Sequence, residues 1–72
     1  MSTSINLLDV VALTDDLPDQ GLYRGQVGTV VEHLAPGVFE VEFSDDDGHT
    51  YAALSLRAGQ LMVLHHRPVE IA

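Results

Sequence analysis

The chain has 72 residues, 46% of them apolar, and sets 11 acidic side chains against three arginines and no lysine, a formal net charge of −8. That length is one domain, with room for one compact core but not for a core plus a deep substrate cavity. Phosphate backbones are bound mainly through lysine and arginine with counterion release, so this charge argues against direct RNA or DNA binding and favours a cationic protein partner. There is no cysteine, hence neither a disulfide staple nor a thiolate metal site. Stability must come from closing a sheet or from binding another surface. Residues 1–6 are polar, lack the positive start and apolar core of a secretory signal, and are expected to be flexible. No apolar run approaches the roughly 20 residues that span a bilayer. The expected compartment is the cytoplasm, with no membrane association.

Leu7–Leu13 reads LLDVVAL and predicts a first strand. From Thr14 to Gln26 the chain carries Asp15, Asp16, Pro18, Asp19, Gly21 and Gly25, a polar loop that is long for a compact domain. Leu17, Leu22 and Tyr23 within it predict that the loop folds back and packs. Val27–Leu34 predicts the second strand, with Gly28 a bulge or a point of close backbone approach. Ala35-Pro36-Gly37 is a turn, since proline presets one dihedral and glycine supplies a positive one. In Val38–Phe43 the period of two is the cleanest signal in the chain: Phe39, Val41 and Phe43 belong to the core, Glu40 and Glu42 to solvent. Ser44-Asp45-Asp46-Asp47-Gly48 is a hairpin turn marked by Asp-Gly. Thr50–Leu56 predicts a fourth strand, Arg57–Gln60 one turn of 3-10 helix, and Leu61–Leu64 a short fifth strand. The tail, 65–72, contains Pro68 and alternates weakly at Val69 and Ile71. It is read as an added edge strand or a frayed end.

Five short strands with these connections predict an all-β fold, a small five-stranded SH3-like barrel over residues 7–64 with a long first loop and a 3-10 turn before the last strand. An OB-type barrel fits less well, because it needs a helix between its third and fourth strands. The segments LLDVVALTDDLP (Leu7–Pro18), GLYRGQVGTVVE (Gly21–Glu32), PGVFEVEFSDDDGHTYA (Pro36–Ala52) and QLMVL (Gln60–Leu64) resemble a bacterial group of small proteins, domain of unknown function 4926. The resemblance implies an SH3-like barrel and brings no activity. Genes of such proteins often stand beside small toxin-like genes, which implies an antitoxin or immunity-like role. More distantly, the chain is similar to the SH3-like domain of the nitrile hydratase β-subunit and its accessory proteins, where the barrel is a protein-contact module.

Asp45-Asp46-Asp47-Gly48 begins like a calcium loop, but the bidentate glutamate such a loop needs would fall at Leu56. His65 and His66 are adjacent and so point to opposite faces of a strand. His33 and His49 would approach each other only across strands, and the sequence has no HExxH motif. No metal or cofactor is expected. Ser44 and Ser55 have no triad spacing, and no enzyme activity is expected. What remains is surface. Asp15, Asp16 and Asp19 in the first loop and Asp45, Asp46 and Asp47 in the hairpin are expected to form one acidic rim. Glu40 and Glu42 extend it along a strand, and Tyr23 and Tyr51 serve as aromatic anchors. Such a surface suits a non-catalytic module that inhibits a small basic protein, an antitoxin-like role toward the product of a neighbouring gene. The alternative is an accessory domain that stabilises a larger enzyme complex or associates with itself through a sheet edge.

Overall fold

The computed structural model describes residues 4–65. They form five strands and two short 3-10 turns: β1 (Val10–Leu13), β2 (Val27–Ala35), β3 (Val38–Ser44), β4 (Thr50–Arg57) and β5 (Leu61–Val63), with the turns at Pro18–Gln20 and Ala58–Gln60. The strands make one antiparallel sheet in the order β4-β3-β2-β1-β5. Among the described residues β4 and β5 do not pair with each other, so the sheet has two edges. The fold is all-β, as the alternation in the sequence requires.

One face of the sheet holds the core. Val11 and Leu13 of β1, Val30 of β2, Phe39, Val41 and Phe43 of β3, Leu56 of β4 and Leu61 of β5 are buried together with Leu22 from the first loop. The three β3 residues sit two apart, which in a pleated strand places them on one side. Residues from both edge strands enter this single cluster, so the sheet curls around its core. Gly28 lies in β2 opposite Phe43, and a Cβ there would meet Val41 Cγ1 at 2.7 Å and the Glu42 carbonyl oxygen at 2.8 Å. It is a point of close approach, as its place in the strand predicts. The bulges of β2 fall later, between Val30 and Glu32 and between His33 and Ala35.

The first strand is shorter than Leu7–Leu13. Leu7 and Leu8 form a turn in which the Asp9 N–H donates to the Asn6 carbonyl at 3.1 Å and the Asn6 N–H donates to Asp9 Oδ2 at 2.8 Å. Leu8 has φ of 70° and is 75% exposed, an uncommon backbone state for a bulky residue. The side chain of Asp9 competes for the backbone and delays the start of the strand. Ile5 packs against the core just before this turn. The long loop does fold back: Leu17 and Leu22 form an isolated bridge, and Leu22 is buried. Tyr23 does not follow it inward and is 53% exposed. At the other end β4 reaches Arg57 and β5 stops at Val63. The readings of residues 66–72, including His66, Val69 and Ile71, lie outside the described residues.

Candidate protein-binding surface

Two loops and one glutamine build the most distinctive polar surface of the molecule. In the first loop, Pro18–Gln20 makes a 3-10 turn closed by Gly21 at φ 70°, and the buried Leu22 pins the return. Asp15, Asp16 and Asp19 are left on the exposed side. Asp16 is oriented, since its Oδ1 accepts the Arg24 N–H at 2.9 Å. Gly25, at φ 94°, donates its N–H to the Leu13 carbonyl at 2.8 Å and returns the chain to the sheet.

Gln26 then joins the loop to β4. Its Oε1 accepts the Tyr23 N–H at 2.6 Å, while its Nε2 donates to Tyr51 Oη at 3.1 Å. Tyr51 leans on Phe43 with ring centroids 6.4 Å apart and planes at 45°, a tilted aromatic contact of the favoured kind. Its ring therefore closes the end of the core, yet the residue stays 51% exposed. Tyr23 and Tyr51 are thus tied through one amide, each half in solvent.

The hairpin beside Tyr51 is held by its own first aspartate. Asp45 Oδ1 accepts the N–H groups of Asp47 and His49, both at 2.9 Å, and Gly48 takes the positive φ of 84°. This is an Asx-type turn. Asp46 and Asp47 stand exposed above it. His49 Nδ1 lies 3.6 Å from Asp45 Oδ2, the one acid–base contact at ion-pair distance among the described residues, and at such exposure it contributes little. Ligand atoms of Asp45, Asp47 and His49 lie within 4.8 Å of one another. The turn geometry alone accounts for that clustering, because Asp45 Oδ1 already serves backbone N–H groups.

Glu40 and Glu42 sit elsewhere. They occupy the face of β3 opposite Phe39, Val41 and Phe43, and so turn away from the ring of Tyr51. They are half-buried rather than fully wet, because β2 and β4 flank them: Glu42 lies between Thr29 and Ala53, and Glu40 between Glu32 and Ser55. Glu32 and Glu40 are directly opposite each other across strands, an unfavourable pairing of like charges. The bulge after Val30 brings Glu32 to that face, and no period-of-two reading of β2 would have placed it there. Gln26 was equally missed, although a polar residue between a turn-forming glycine and a strand is well placed to tie loop to sheet.

Among the described residues, His33 and His49 do not converge. His33 stacks on Phe39 at 4.9 Å and 15°, near the start of β3, whereas His49 precedes Thr50, the partner of Ser44 at the other end of β3. Beside β5 a shallow groove is bordered by Ile5, Leu61, Val63 and His65, with no carboxylate among its described lining residues.

The family model described as Domain of unknown function (DUF4926) matches residues 7–63. The chain belongs to that family. The matched span runs from the Leu7–Leu8 turn to the last residue of β5 and so contains all five strands of the described residues. No curated protein and no solved structure matches the chain. Among the described residues no helix is long and apolar enough to cross a membrane.

Proposed function

We propose that this chain is a non-catalytic protein-binding module that captures a small basic protein on the surface around Tyr23, Gln26 and Tyr51. The observation that carries this reading is the Gln26 bridge. It fixes two half-exposed tyrosines between the acidic first loop and the acidic hairpin. Six exposed carboxylates, at Asp15, Asp16, Asp19, Asp45, Asp46 and Asp47, lie in the two loops that flank the pair. Charge of one sign steers the encounter, and aromatic rings with few rotatable bonds slow release. Glu40 and Glu42 contribute to the field of the molecule from the opposite side of β3.

The frame for this surface is read as an SH3-like barrel. Three features support it: the strand order β4-β3-β2-β1-β5, the 3-10 turn between β4 and β5, and a core shared by residues of both edge strands. Charge favours a basic protein in the cytoplasm as partner, and the family resemblance implies the toxin-like product of an adjacent gene, which this chain would hold inactive as an antitoxin does.

Co-expression with the adjacent gene product, followed by size exclusion at low salt, tests the proposal. Co-elution is expected. Replacing Asp15, Asp16 and Asp19 together with lysine is expected to weaken the complex, since these groups lie outside the core. Two separate elution peaks at low salt would remove the reading.

A further inference from the structure

β4 forms one edge of the sheet and runs eight residues, Thr50–Arg57. Among the described residues its only partner is β3. An edge strand offers a row of unpaired N–H and C=O groups, and proteins normally blunt such rows with brevity, proline, lysine or an inward charge. β4 has none of these. It carries no proline, and between Thr50 and Leu56 no charge. Its pairing with β3 is regular from Ala52 to Arg57, the bulge being confined to the first residues beside Ser44. The other edge, β5, is only three residues long.

The charges around β4 are arranged end to end. The acidic turn Asp45–Asp47 lies just before its start, and Arg57 closes it. Arg57 makes no ion pair with a described carboxylate. Laid antiparallel, two copies of this strand bring each arginine toward the acidic turn of the other.

We infer that β4 pairs antiparallel with β4 of a second copy of this chain, about a twofold axis at Leu54, and joins the two sheets into one. The register follows from the pleat. Cross-strand partners must share a face, so with Leu54 opposite its own mate, Ser55 meets Ala53, Leu56 meets Ala52 and Arg57 falls beside the bulge at Tyr51. Large sits against small at the Leu56–Ala52 pairs, and the half-buried Leu54 is covered by its mate. Arg57 shares the outer face of β4 with Ser55, while the bulge turns the Tyr51 ring toward Phe43; beyond that bulge lies the acidic turn of the other copy, toward which the arginine reaches. The dimer rests on observations separate from the basic-partner reading; it shares the acidic hairpin with that surface and leaves Tyr23 and the first loop free.

The two are also separable by salt. The −8 on each copy opposes the approach of a second copy, so screening favours the dimer, whereas it weakens capture of a cationic protein.

The chain has no cysteine of its own, so a cysteine introduced at the twofold position reports directly on the register. Under mild oxidation L54C is expected to form a covalent dimer, while L7C, on the exposed turn before β1, stays monomeric. Because Leu54 touches the core, a second variant guards the result: S55K, on the exposed face of the edge, is expected to lower the dimer fraction in sedimentation equilibrium with an unchanged circular dichroism spectrum. R57E is expected to raise the dimer Kd about tenfold, because a twofold pair loses a surface ion pair at both ends. A strict monomer at millimolar chain concentration and physiological salt, or L54C crosslinking no faster than L7C, would overturn the inference.

Discussion

The two faces of β3 differ in kind. Phe39, Val41 and Phe43 point into the core, and Val41 and Phe43 are wholly buried, while Glu40 and Glu42 on the reverse are half-buried and make no ion pair among the described residues. The inner face is what a small sheet needs: apolar area removed from water, close backbone approach at Gly28, and support from every strand. On the outer face Glu40 stands opposite Glu32, an arrangement that costs stability. A threonine or lysine at either position would serve the sheet better. The surface of this protein is thus more acidic than its fold requires, in the mid-sheet as well as in the loops.

The sharpest way to test that contrast is to remove the inner face. Phe43→Ala is expected to cost about 3–5 kcal/mol, a large share of the whole stability of a domain this size; urea unfolding followed by circular dichroism would measure it. A loss below about 1 kcal/mol would mean that the core is not centred on β3. Gly28→Ala comes next. Its new methyl group meets the Val41 side chain and the Glu42 carbonyl, and the expected loss is about 1–3 kcal/mol, read as a lower urea midpoint with an unchanged slope. Gln26→Ala removes the link between Tyr23 and Tyr51 and is expected to destabilise by about 0.5–1 kcal/mol, the lower part of the range for a hydrogen bond because the site is partly open to water.

The smallest effect carries the opposite sign. Glu40→Gln ends the like-charge contact with Glu32 and is expected to stabilise by about 0.2–1 kcal/mol, less at high salt. Thermal melts at two ionic strengths would show it. A destabilisation at both would mean that Glu40 has a favourable role within the fold, and the contrast between the faces would fail.

Most of the fold was legible in the residues because it rests on local rules. Period-two alternation placed β3, Pro36-Gly37 and Asp47-Gly48 placed its two turns, and a run of β-branched residues placed β2. What could not be read depends on register and on side chains that bond to backbone. The Asp9 carboxylate shortened β1 by folding the two leucines before it into a turn. A bulge in β2 brought Glu32 opposite Glu40, which no count along a single strand reveals. For the candidate surface, the sequence supplied the acids and the tyrosines but not Gln26, whose two-ended bond exists only once β4 has returned beside the loop. It also grouped Glu40 and Glu42 with the loop acids, although the pleat turns them to the other side of β3.

The central claim is that function lies at the Tyr23–Gln26–Tyr51 surface and not on the outer face of the sheet. A titration of isotope-labelled chain with the adjacent gene product, followed by amide chemical shifts, tests this most directly. The account predicts changes concentrated at residues 15–26 and 45–51. Shifts confined to Glu32, Glu40, Glu42 and their neighbours, or none at low salt, would contradict it.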